Sequence, residues 1–98
     1  MSEIEPLAKG KRYRIFRRIL APGARLKREH HMHRSETLIV VSGTMSIILN
    51  NLPLTKFENE SIHIPATVDH EIGNPGRIPA EIVEIWYGSY LGEDDAVR

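Results

Sequence analysis

The sequence has no cysteine and no net charge, with Lys and Arg numbering 13 and Asp and Glu 13 among 98 residues. Without thiols no disulfide can staple the chain, which removes the small secreted disulfide scaffold as a reading. A zero balance gives no global pull toward nucleic acid or an anionic membrane. No apolar run approaches the roughly 20 residues that a spanning helix needs. Met1 to Lys9 also lacks the apolar core of a signal peptide. The expectation is a soluble, cytoplasmic protein with neither nucleic acid nor membrane as a partner.

A chain of 98 residues fits one domain, expected over 1–98 with a core from about 12 to 91 and short extensions at both ends. A domain this small buries a modest share of its surface, so a bound metal or a second subunit is expected to help hold it. A homodimer follows as an expectation, with the N-terminal segment free to pair with a neighbour's sheet edge.

What the sequence does have is punctuation. Gly and Pro recur at Pro22-Gly23, Gly43, Pro53, Pro65, Gly73, Pro75-Gly76, Pro79 and Gly88. Short stretches rich in Ile, Val and Tyr lie between them, which is the pattern of many strands joined by tight turns. Strands are predicted over Tyr13 to Ile15, Arg17 to Leu20, Thr37 to Val41, Thr44 to Leu49, Ser61 to Ile64, Asp69 to Ile72 and Glu81 to Tyr87. Ser42-Gly43 and Asn50-Asn51 supply turns. No segment keeps a helical period for three turns. The fold class is therefore all-β, a sandwich or a barrel.

Charge is uneven along the chain. Ten Lys and Arg lie between Lys9 and Arg34, and the end is acidic at Glu93, Asp94 and Asp95. The basic third reads either as solvated strand edges or as a surface for an anionic group such as a phosphate. It carries no aromatic-studded basic motif of the nucleic-acid-binding kind.

Three of the five histidines fall in the hexapeptide Glu29-His30-His31-Met32-His33-Arg34, with Glu36 just beyond. On a continuous strand, alternation turns Glu29, His31 and His33 to one face. Imidazole with carboxylate suits one divalent ion such as Zn, Mn, Fe or Ni. The other reading is a polar turn with surface histidines.

The spacing resembles the two motifs of the cupin superfamily. Gly23, five residues, Glu29-His30-His31, four residues, Glu36, six residues and Gly43 match the first motif, with Glu29 at its first ligand position. Pro65-Ala66-Thr67, two residues, His70, three residues and Asn74 match the second, with Thr67 at a glycine position. The resemblance implies a small cupin barrel, a double-stranded β-helix or jelly roll. It also implies metal ligands His31, Glu36 and His70, with Glu29 as the fourth.

A closer resemblance is to the C-terminal cupin module of type II phosphomannose isomerases, the bifunctional mannose-1-phosphate guanylyltransferases. It rests on Glu29 to Met45 (EHHMHRSETLIVVSGTM), Asn59 to Pro65 (NESIHIP), Asn74-Pro75-Gly76 and Gly88 to Arg98 (GSYLGEDDAVR). It implies a metal-dependent aldose–ketose isomerase acting on a sugar phosphate, mannose 6-phosphate. No Gly-rich phosphate loop is present for guanylyl transfer.

Against the family pattern, Glu29 stands for Gln, Thr37 for His, Leu38 for Trp, Glu71 for Arg and Trp86 for Gln. His33 is the base expected from the shared face, with His63 in reserve, and Arg34 is the cation of the reaction. A carboxylate at 71 would repel a bound phosphate if it faced the mouth. Two alternatives stay open, a non-catalytic metal- or carbohydrate-binding or regulatory cupin, and a cupin dioxygenase.

Overall fold

Alternation decides which way each strand faces. In β4 (Arg34–Ser42) and β9 (Ala80–Gly88), buried and partly exposed residues alternate without a break over the first seven positions. The computed structural model describes residues 2–91 and the backbone of 96–97. Within these residues every regular element is a strand. The acidic residues Glu93, Asp94 and Asp95 and the terminal Arg98 lie outside the described residues.

Among the described residues ten strands form three antiparallel sheets. β1 (Ser2–Lys9), β2 (Tyr13–Leu20), β9, β4 and β7 (Ser61–Ile64) make the largest, in the order β1-β2-β9-β4-β7. β6 (Leu52–Lys56), β5 (Met45–Leu49) and β8 (His70–Gly73) make the second, and β3 (His30–His31) pairs with β10 (Ala96–Val97). Backbone bridges at Arg25↔Gly73 and Glu29↔His70 tie the segment after β2 to β8. The predicted turns are present. Gly43 (φ 82°) and the pair Asn50 (φ 49°) and Asn51 (φ 68°) take the left-handed conformations that tight hairpins require.

The two larger sheets meet across a shared core. Leu20, Leu38, Val40, Ile64, Ala80 and Ile82 come from the five-stranded sheet, and Met45, Ile47 and Ile72 from the three-stranded one. Each fully buried Leu, Ile or Met contributes about 1.5–3 kcal/mol of hydrophobic stabilisation. The result is the expected all-β barrel.

The inner face of the large sheet changes character along its length. In register, Val40 sits beside Ile82 and Leu38 beside Glu84, then Glu36 beside Trp86 and Arg34 beside Gly88. The floor is thus apolar and the mouth polar, and this gradient is what positions the site.

The N-terminal segment differs from the loose extension expected of it. Ser2–Lys9 is a strand paired with β2 in its own sheet, although every residue in it is exposed. SEIEPLAK buries neither face, so it carries no alternation to read. β6 (LPLTK) also escaped prediction, because Pro53 demotes such a run. It lies at the edge of its sheet, where a proline is tolerated.

Candidate metal centre

A pair of backbone hydrogen bonds brings Glu29 and His70 together. Glu29 N donates to His70 O at 3.0 Å and His70 N to Glu29 O at 2.9 Å. Thr67 N donates to His31 O at 2.7 Å and holds the next strand beside them. The ligand atoms of Glu29, His31 and His70 all lie within 4.8 Å of one another. The His31 and His70 rings stack with centroids 5.4 Å apart.

Each imidazole is oriented by its second nitrogen. His70 Nδ1 lies 3.1 Å from Val68 O, which assigns it the proton and leaves Nε2 as the donor. His31 Nδ1 lies 3.3 Å from Glu36 Oε2, and its Nε2 lies 3.3 Å from Glu29 Oε1. Two imidazole nitrogens and a carboxylate in a buried corner suit one divalent cation, so the residues present fit the metal that the spacing implies.

Glu36, expected as a ligand, takes a different place. It faces the other nitrogen of His31 and accepts a hydrogen bond from Arg34 Nε at 3.0 Å. Burial pushes its carboxyl above the usual carboxylate range, against the lowering effect of Arg34, and the nearby Glu84 carboxylate adds to the rise.

Arg34 binds the site together. Its side chain is 5 % exposed, and its guanidinium carbon lies 3.5 Å from the centre of the Trp86 ring. Its Nη2 donates to His31 Nε2 at 2.5 Å. Its Nη1 is buried with no hydrogen-bond partner among the described residues.

A cavity of about 230 Å³ opens beside the triad. Glu29, His70, Arg34 and Glu36 line it, together with Arg18, Lys27, Glu84 and Trp86. Glu84 is 3 % exposed, pairs with Arg18 Nε and accepts from Trp86 Nε1 at 3.3 Å. Sequence reasoning passed over Glu84. The signal was there, since it falls in phase with Ile82 and Trp86 on the buried side of EIVEIWY.

The two expected bases lie elsewhere. His33 is exposed and meets Tyr90 edge to face with ring centroids 6.0 Å apart. β3 ends at His31, and Met32-His33 forms a bend before β4 restarts at Arg34. The bend breaks the alternation, so Arg34 rather than His33 turns inward. His63 is exposed on β7, with Nδ1 3.3 Å from Thr37 Oγ1.

Glu71 does not line the cavity either. It accepts from Arg25 Nη2 at 2.5 Å and from Arg25 Nε at 3.1 Å, and Arg28 Nε lies 3.8 Å away. Its alternation with His70 turns it out of the mouth, so it does not oppose an anion there.

A family model described as Mannose-6-phosphate isomerase C-terminal matches residues 2–98. The chain belongs to this family. The xanthan biosynthesis protein XanB of Xanthomonas campestris pv. campestris is 46% identical over 89 residues, which are 91% of this chain and 19% of that protein. A putative mannose-1-phosphate guanylyltransferase of Vibrio cholerae is 43% identical over 94 residues, 96% of this chain and 20% of that protein. The chain spans about a fifth of the length of the curated relatives it matches.

Among solved structures, the cupin domain of Schizosaccharomyces pombe Cnp3 superposes with a TM-score of 0.86 at 12% identity, covering 89% of this chain and 64% of that one. The fold is that of the cupin barrels. No helix among the described residues is long and apolar enough to cross a membrane.

Proposed function

We propose that this chain is a metal-dependent isomerase of a sugar phosphate, interconverting mannose 6-phosphate and fructose 6-phosphate. One observation carries the reading. A single cavity is lined by Glu29 and His70 of a metal-type triad, a buried arginine whose Nη1 has no partner among the described residues, and a buried carboxylate. The family description points to the same substrate class.

Glu29, His31 and His70 would hold one divalent ion, which would supply Lewis-acid polarisation of the sugar oxygens when bound. Glu36 supports this set from outside it, fixing the His31 tautomer through Nδ1. Glu84 is the base. Arg18 pairs with one of its carboxylate oxygens, and Trp86 Nε1 donates to the other. Glu84 takes the proton from the carbon next to the carbonyl, and the bonding electrons form the carbon–carbon double bond of an enediolate. The same carboxyl then returns the proton to the neighbouring carbon, while the hydroxyl proton passes between the two oxygens. Arg34 Nη1 donates to the enediolate oxygen as its charge develops. Lys27, exposed at the rim, meets the phosphate. The same reading places the protein in the cytoplasm and, given its small core, as a homodimer.

A coupled assay on the metal-loaded protein tests this. Turnover above a chelated control is expected, with a loss of about 10²–10⁴-fold in Glu84→Gln. Absence of turnover in the wild type overturns the isomerase. Full activity in Glu84→Gln overturns only the base.

A second reading has its own support. Arg34 Nη2 occupies the lone pair of His31 Nε2, which suits a domain that binds a sugar phosphate without transforming it. Sugar-phosphate binding without turnover is its signature.

A further inference from the structure

An imidazole nitrogen has one lone pair, which either accepts an N–H or coordinates a cation. At His31 the two uses meet. His31 belongs to the triad, its Nδ1 faces Glu36, and Arg34 Nη2 stands 2.5 Å from its Nε2. A zinc ion would take that same direction at about 2.0–2.1 Å. Arg34 Nη2 and an ion on His31 Nε2 therefore exclude each other.

The same guanidinium has a second use. Arg34 lines the cavity beside the triad, and its Nη1 is buried with no hydrogen-bond partner among the described residues. A buried donor left unpaired favours any acceptor that reaches it. Nη1 and Nη2 form one edge of a rigid fork, suited to the oxygens of a single ligand. Glu36 holds Nε at 3.0 Å, and the Trp86 ring lies against the guanidinium at 3.5 Å. These contacts restrain its tilt and leave it a slide across the ring. A ligand oxygen that draws the fork toward itself takes Nη2 away from His31.

We infer that Arg34 is a latch coupling the two ligands of this cavity, so that a sugar phosphate opens His31 to the divalent ion. In one position Nη2 closes the imidazole to a cation. In the other the fork holds an oxygen of the sugar phosphate, and the lone pair of His31 Nε2 is free. The inference rests on reading the triad as a metal site and the ligand as a sugar phosphate, and it does not require turnover. Such coupling is reciprocal, so the ion must raise the affinity for the sugar phosphate by the same factor.

Calorimetry on the full, chelator-stripped chain tests the latch. The probes are zinc and mannitol 1-phosphate, a polyol phosphate with no carbonyl to isomerise. Saturating mannitol 1-phosphate is expected to tighten zinc binding by roughly 5–150-fold, and zinc to tighten mannitol 1-phosphate equally. Arg34→Met should bind zinc more tightly than the wild type when no sugar phosphate is added, because the latch is gone. Trp86 is the only tryptophan, so its fluorescence follows Arg34 in the wild type without any substitution. Zinc alone should change that emission in the wild type and leave it unchanged in Arg34→Met. Zinc binding that mannitol 1-phosphate leaves unchanged or weakens overturns the latch alone. So does an Arg34→Met that binds zinc no more tightly than the wild type, or a wild-type emission that bound zinc does not move. Failure of both proteins to bind zinc overturns the metal reading and the latch together. Intact coupling without turnover of mannose 6-phosphate supports the latch and overturns the isomerase.

Discussion

Arg34 and His31 meet within the barrel mouth, guanidinium Nη2 to imidazole Nε2, at 2.5 Å. The nitrogen that a metal needs is therefore engaged by a cation that the Trp86 ring holds in place. Arg34 would compete with a cation at the triad both for the lone pair and through its charge.

Arg34→Met is expected to bind a divalent ion more tightly, by about tenfold, which corresponds to roughly 1.4 kcal/mol. Calorimetric titration of the chelator-stripped protein measures it. Weaker binding in the variant would show that Arg34 supports the site rather than competing for it. The same variant should lose isomerisation, since it removes the donor to the enediolate.

Metal loading should raise thermal stability through the triad. At an ion concentration of about 100 times Kd the gain is roughly 2.7 kcal/mol, or about 10–20 °C in Tm for a domain of this size. His31→Ala combined with His70→Ala should abolish the shift. Retention of full metal content by the double variant would sink the ligand set.

Thr67 stands where the cupin pattern has glycine, and its φ is 70°. A β-branched residue is a genuine outlier in that region, at a cost of about 1–2 kcal/mol. Thr67→Gly relieves the strain but loosens the unfolded chain by about 0.5–1 kcal/mol. The net expectation is a gain of about 0.5–1 kcal/mol, read by urea denaturation at unchanged m. Because Thr67 N anchors His31 O, the variant should also keep its metal affinity.

Glu71→Arg should leave the Michaelis constant for the sugar phosphate unchanged, because residue 71 faces Arg25 and Arg28 rather than the cavity. Three neighbouring guanidinium groups then repel one another, and stability should fall by about 1 kcal/mol. A lower Michaelis constant in the variant would show that this side of β8 reaches the substrate.

The barrel was legible because its strands alternate and its turns carry Gly, Pro and Asn. The grouping of Glu29, His31 and His70 was legible because motif spacing maps onto a backbone bridge, Glu29↔His70. Asn74 belongs to the same motif but works as a staple. Its amide donates to Leu20 O and Ile78 O, and its carbonyl oxygen accepts from Gly76 N. His33 was misread because alternation was carried through a bend that nothing in the local sequence announces. Glu84 was passed over although its phase within EIVEIWY turns it inward, and its pairing with Arg18 was not legible because it arises only when β2 and β9 lie side by side.

The bridge between Glu29 and His70 has a consequence for the order of events during synthesis and unfolding. Its partners lie 41 residues apart, and β3 to β7 lie in the intervening loop. Closing that loop must precede assembly of the complete triad, so a nascent chain not yet extended past His70 holds only two of the three donors. Capture of an ion by the triad would then be a late event, one that slows the opening of a finished barrel far more than it speeds its formation.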